Sequence, residues 1–371
     1  MVPSGRGWLR AIVLALALAA GTGVPTDPAK AQAPGDEGPD RTVDAATRAE
    51  VLAACLAALE KSYVFPEAAQ RVSEALRARE RAGAYAAVTG ARDFARRLTD
   101  DLQAQSRDRH LRVRYHAGVP PRGEAGAGRS AEDEARRADF LRATNYGFEK
   151  AERLPGNIGY LEVRSFNAPD EAAAETVAAS MGFLANADAL IIDLRANGGG
   201  NPALVARLSS YLFDERTHLN SLHWREGGRI DEFWTSEVPG RRFGGAKPVF
   251  VLTSARTFSG AEEFAYNLQS RRRATIVGET SGGGAHPGGP ERVHDHFSIW
   301  IPRGRAVNPV TGTNWEGTGV VPDHAVDAER ALVAAQQLAL KALAASEPSE
   351  ARRAALEKRR AELEKAPARA S

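Results

Sequence analysis

The sequence predicts an α/β core preceded by a small helical domain, and three observations carry that expectation. Apolar residues recur at helical spacing through residues 42–103; short apolar strands alternate with amphipathic helices from Asn157 onward; and two of those strands run into turns rich in glycine and serine. A chain of 371 residues that is 43% hydrophobic can fill a sizeable core, as one large domain or two ordinary ones. Its 49 basic and 47 acidic residues are spread along the chain and leave a net charge of +2, so the basic stripe that nucleic-acid binding requires is missing.

Residues 1–33 read as a secretory signal, with Arg6 and Arg10 in the charged region, a short apolar stretch over 11–20 and a small-residue cleavage site at Ala31-Gln32-Ala33. The mature protein is expected to begin near Pro34, in the periplasm or outside the cell. The apolar stretch is about half the ~20 residues that a membrane span needs, and no later one is longer, so an integral membrane segment is not expected after signal removal.

A helical N-terminal domain is expected over 34–117, with three helical patterns broken at 63–66 and around 83–89. Val51, Leu52, Cys55, Leu56 and Leu59 fall on one face of the first, which makes Cys55 a small core residue and not a lipid-attachment site. As the only cysteine, it also excludes an internal disulfide. Residues 110–116 alternate as a strand does. A linker and connecting helix follow over 118–148, opening with an exposed loop rich in glycine, proline and charge over 118–129. The core, 149–343, should contain strands over 158–163, 189–194, 248–253 and 275–278, with helices such as 171–184 between them. Beyond Leu343 the composition predicts a charged, solvated helical tail over 344–371.

Four segments could carry chemistry. In the first, an apolar strand ends at Thr253 and a helix opens near Ser259, where Ser259 and Glu262 form a capping-box pattern. Ser259 reads either as an ordinary N-cap or as a nucleophile at a helix N-terminus, where free N–H groups stabilise a developing oxyanion. In the second, the strand over 189–194 runs into Gly198-Gly199-Gly200, a turn whose backbone can approach a ligand closely. No nucleotide-binding glycine pattern accompanies it. The third contains Trp315 and Glu316, and the fourth is Asp108-Arg109-His110; taken singly, Glu316 is a loop carboxylate and His110 a strand residue. His286, in a glycine-rich loop, is the rival base. His294 and His296 would share one strand face, but no third ligand accompanies them, and no metal or organic cofactor is expected.

Taken in order, Asp-Leu-Arg-x-Asn-Gly-Gly-Gly, Thr-Ser-x-x-Thr-Phe-Ser-Gly-Ala-Glu-Glu, Val-Gly-Glu-Thr-Ser-Gly-Gly-Gly-Ala-His-Pro and Asn-Trp-Glu-Gly-x-Gly-Val-x-Pro-Asp resemble the S41 serine peptidases. The likeness is to the branch that includes tricorn core proteases and interphotoreceptor retinoid-binding protein modules, and it covers roughly residues 108–343. It implies a ClpP/crotonase-like core, with Ser259 as nucleophile, His110 as base and Glu316 as the carboxylate that orients the imidazole. In the mechanism built on it, backbone N–H groups of Gly198 or Gly199 and of Gly260 hold the oxyanion. A base of unperturbed pKa ~6.5 would make kcat/KM rise through about pH 6 to 7.5. Two departures stand out: the position where tail-specific relatives carry a lysine base is Gly284, and Arg109 stands where the tricorn branch has a serine. The stretch after His110 is also too short for a PDZ domain, so short or unfolded peptides are the expected substrates. An esterase and a carrier of apolar ligands remain as alternatives on the same fold.

Overall fold

The computed structural model describes residues 38–119, 130–167 and 170–365. The expected signal, its cleavage site and residues 120–129 of the expected loop lie outside the described residues.

The helical N-terminal region folds as its apolar spacing dictates. Helices α1 (Ala45–Ser62), α2 (Pro66–Arg81) and α3 (Ala91–Ser106) break at the expected places: Asp44 caps α1 through the Thr47 N–H at 2.8 Å, and Pro66 opens α2. The α1 face that the spacing predicts is buried, Cys55 included, and burial pushes its thiol up to about 12. Strand β1 (Arg112–Tyr115) is shorter than expected, because Asp108 Oδ1 accepts the His110 N–H at 3.0 Å and holds 108–110 as a turn. Helix α4 (Ala131–Ala143) then leads, capped by Ser130 and Asp133, to the α/β core.

The core strands are β2 (Phe148–Leu154), β3 (Ile158–Val163), β4 (Ala189–Asp193), β5 (His218–Trp224), β6 (Ile230–Trp234), β7 (Val249–Thr253), β8 (Thr275–Gly278), β9 (Gly288–His294), β10 (Phe297–Pro302), β11 (Gly304–Val307) and β12 (His324–Ala325). Among them run helices α5 (Glu171–Leu184), α6 (Pro202–Ser209) and α7 (Gly260–Ser270); α8 (Ala328–Ser346) and α9 (Glu350–Lys365) follow. The central sheet has the order β12-β8-β7-β4-β3-β2 and is parallel apart from β2, which pairs antiparallel with β3. Strands β4 and β7 are buried along their whole length, as expected of parallel strands covered on both faces. Leu190, Ile192 and Val251 point toward α5, α6 and α7; Ile191, Phe250 and Leu252 point toward α8 and α9. The fold is therefore the expected mixed α/β one with a helical N-terminal region. Two smaller sheets, β1-β10-β9 and β11-β5-β6, flank it, and Phe297, Ile299 and Ile301 of β10 share a core with the N-terminal helices.

Two expectations are corrected. The segment after Leu343 is not a purely solvated tail: Leu356 and Leu363, seven residues apart on one face of α9, are buried in the cluster with α8, and Arg352 pairs with Asp188 and Glu347. His294 and His296 do not share a strand face. His294 ends β9, and His296 lies in the hairpin turn, its Nδ1 3.0 Å from the His116 carbonyl.

Candidate active site

The loops that leave the carboxyl ends of β4, β7 and β8 meet, where ligands of parallel sheets characteristically bind. The turn between β7 and α7 is clipped to the loop after β4 by three bonds: Thr257 Oγ1 to the Leu194 carbonyl (2.8 Å), Ser254 Oγ to the Arg195 carbonyl (2.6 Å) and the Phe258 N–H to the Asn197 carbonyl (3.0 Å). These clips hold Ser259 at φ 53° and ψ −121°, a region that a residue with a Cβ rarely adopts. An N-cap serine is ordinarily extended. The conformation is instead that of a sharp strand-to-helix turn that presents a side chain at the helix N-terminus, and Ser259 is half-buried.

Glu262, one turn into α7, is fully buried and ties two loops together. Its Oε2 accepts the Ser259 N–H at 2.7 Å and the Gly284 N–H at 2.9 Å; its Oε1 accepts Ser281 Oγ and the Gly283 N–H, each at 2.6 Å. Burial raises its pKa, and the four donors oppose that shift. The capping-box pattern had marked the bond to Ser259; nothing local in sequence marks the three to residues 281–284.

The glycines fix how closely the loops approach. A Cβ on Gly199, at φ 102°, would stand 2.7 Å from the Gly260 nitrogen and 2.8 Å from Ser259 Cβ. A Cβ on Gly284 would stand 2.2 Å from Phe258 Cζ and 2.8 Å from His110 Cε1. The position where relatives carry lysine is therefore filled by the packing of Phe258 and His110, whose rings lie 4.6 Å apart. Of the three expected oxyanion donors, Gly199 is otherwise engaged, because its N–H donates to Asn197 Oδ1 at 2.8 Å. Gly198 is exposed, and Gly260 packs against Gly200.

His110 is buried, and desolvation, the largest cause, depresses its pKa to about 4, so the imidazole is neutral over most of the working range. Glu316 does not hydrogen-bond to it, contrary to expectation: its Oε2 lies 3.3 Å from His286 Nδ1 and accepts the Ala285 N–H at 2.5 Å. The reason is the stitching of the 314–320 loop onto 281–285, through Trp315 Nε1 to the Gly284 carbonyl (2.8 Å) and the Gly317 N–H to the Gly283 carbonyl (3.0 Å). His286 Nδ1 also meets Asp108 Oδ2 at 2.8 Å, and the Tyr63 hydroxyl donates to that same oxygen at 3.1 Å. Asp108 thus reaches both histidines, a role the sequence did not disclose. Arg109 turns away and donates to the Gly282 carbonyl at 2.7 Å.

Glu316 is pushed up to about 7 by burial first and the Asp108 charge second, while Asp108 is held below its usual value, against its own burial, by its bonds to His286. Of the polar atoms of His110, Asp108, His286 and Glu316, His110 Nδ1 and Glu316 Oε1 are buried without a partner among the described residues. Asp108, His286 and Glu316 bring one donor atom each within 4.8 Å of one another, a spacing that a metal ion could bridge and that hydrogen bonds already use.

The sequence profile of Peptidase family S41 matches residues 157–326, and that of the N-terminal domain of peptidase S41 in eukaryotic IRBP matches residues 45–137. The chain belongs to peptidase family S41. The two S41 matches meet across the site: Asp108 and His110 come from the N-terminal one, and Ser259, His286 and Glu316 from the other. Membership supports a serine-type peptidase function. Among solved structures, a lipoprotein from Streptococcus agalactiae superposes at a TM-score of 0.50, with 14% identity, over 80% of this S41 chain and 96% of its own. A protein from Parabacteroides merdae, described as a candidate peptidase, does so at a TM-score of 0.52, with 18% identity, over 76% of this chain and 90% of its own. At such identities the likeness is one of fold.

Proposed function

We propose that the protein is an exported serine endopeptidase that cleaves short or unfolded peptides through an acyl-enzyme on Ser259. The observation that carries this reading is the left-handed backbone of Ser259 at the opening of α7, strain that an ordinary N-cap does not need. Ser259 Oγ attacks the peptide carbonyl as His110 takes its proton; the oxyanion meets the N–H groups of Gly260 and Gly198, the Gly199 N–H being engaged by Asn197; His110 returns the proton to the departing amine; and water then releases the acyl group by the same steps. His110 suits the part of base because it is neutral and its ring lies beside Phe258, the residue before Ser259. Asp108 holds the His110 backbone and, with Glu316, His286. Export rests on the leader read in residues 1–33. No helix of the described residues is long and apolar enough to cross a membrane.

One observation favours His286 as the base instead: its Nδ1 already faces two carboxylates, the partnership that orients a triad histidine. Kinetics separate the two. His110→Ala should lower kcat by on the order of 10³-fold while His286→Ala lowers it far less. The reverse ranking assigns the base to His286.

A further inference from the structure

Two chain segments lead from His286 into a cleft of about 710 Å³. One runs from Phe65, whose ring meets the His286 imidazole edge-on at 5.2 Å, back to Ser62 and Lys61 in the cleft wall. The other is β9, which starts two residues after His286 and whose far end, with Asp295, lines the cleft from Glu291 onward. Strand β9 is the last in its sheet, order β1-β10-β9, so one of its edges has no strand partner among the described residues. An unpaired edge is a template for an added strand. Arg225, Glu226 and Arg303 complete the lining.

Most of the charge around the cleft is internally matched: Arg303 pairs with Glu291 at 3.2 Å, and Arg292 with Asp295. Two cations are not matched. Arg225 is held by the carbonyls of Glu60 (3.1 Å) and Tyr63 (2.7 Å), which leave its charge intact, and neither Arg225 nor the exposed Lys61 has a carboxylate partner among the described residues. Glu226 is the one lining acid with no ion-pair partner among the described residues, and Glu50 stands 3.9 Å from His294 of the lining.

We infer that this cleft is a substrate-binding exosite that takes an extended peptide along the free edge of β9, with a carboxylate of that peptide facing Arg225 and Lys61. This rests on the peptidase reading and adds a substrate class: peptides with several residues beyond the cleaved bond and an acidic side chain or free terminus among them. At ~3.3 Å per extended residue, a peptide paired along β9, Gly288–His294, has several residues in the cleft.

The test uses full-length Ser259→Ala protein and fluorescein-labelled ten-residue peptides, read by anisotropy. One peptide carries acidic side chains, one is neutral with a free C-terminus, one is neutral and amidated, and one is basic. The acidic or free-acid peptide should bind about fivefold or more tightly than the amidated one, as one or two partly exposed ion pairs allow, and the pair of arms identifies which carboxylate is read. Lys61→Glu should erase the preference and Lys61→Arg should keep it. Equal binding of all four peptides, no binding of any, or a preference that survives Lys61→Glu overturns the inference. A separate readout isolates the underlying reading: with Ser259 intact, a fluorophosphonate should label Lys61→Glu protein as fast as wild type. Acidic-peptide binding by a wild-type chain that never labels would leave the cleft standing and remove the peptidase.

Discussion

Ser259 carries the clearest residue-scale signature, because its left-handed backbone stores strain of about 1–3 kcal/mol that a Cβ creates and glycine does not. Ser259→Gly should therefore be more stable than Ser259→Ala by about 1 kcal/mol, even after glycine's greater unfolded-state entropy, when both are compared by chemical denaturation. Equal stabilities would mean that the turn relaxes and no strain is held. His110 makes a pH statement of its own. Below its unfolded pKa of ~6.5 the unfolded chain binds a proton that the folded chain refuses until about 4, so stability falls as pH drops through that window. His110→Gln should remove that loss, on the order of 3 kcal/mol at full extent. The same depressed pKa moves the acid limb of kcat/KM set by this base from about 6.5 to near 4. A limb near 7 would report on Glu316 instead, and Glu316→Gln would abolish it. Sequence drew attention to Ser259, His110, His286 and Glu316 one at a time, through turn context and resemblance. It named Asp108 only as part of the segment that carries His110 and was silent on Tyr63; the bond from Asp108 to His286 spans 178 positions.

At the scale of elements, the loop over 281–286 is the piece on which the site converges, and its glycines are there for space. Gly284→Ala should cost about 1–3 kcal/mol and lower activity at least tenfold, because the new Cβ overlaps Phe258 and displaces His110, whereas Gly289→Ala, which meets nothing within 4 Å, should be neutral in both respects. Unchanged activity in Gly284→Ala would place His110 outside the mechanism. The elements themselves were legible to the extent that each carried its own periodicity. Helix α5 and strands β3, β4, β7 and β8 have apolar runs that need no partner to be read, and they fall where the sequence puts them. Strand β2, with the sequence FEKAERL, has no such run; it forms because β3 offers an edge to pair with, which is a tertiary fact. Helix α9 misled in the opposite direction, since two leucines seven residues apart suffice to dock a helix that composition marks as solvated.

For the whole molecule, the site exists because the N-terminal region and the α/β core share it: Tyr63, Asp108 and His110 come from the first, and Ser259, Glu262, His286 and Glu316 from the second. The same division carries a consequence for chemistry, because loosening the N-terminal helices would uncouple Asp108 and His110 from the loop that bears His286 without touching Ser259. Resemblance supplied the family and the order of the motifs, and packing supplied what a motif cannot state, namely that Glu316 lies against His286 and that Gly284 makes room for His110. Whether Ser259 is an activated nucleophile is decided by covalent labelling of the full-length protein with a fluorophosphonate probe, compared between wild type and Ser259→Ala. Labelling of the wild type that disappears in Ser259→Ala, with the folded state retained, is the predicted result; labelling that persists unchanged in the variant, or a folded wild type that never labels, would contradict it.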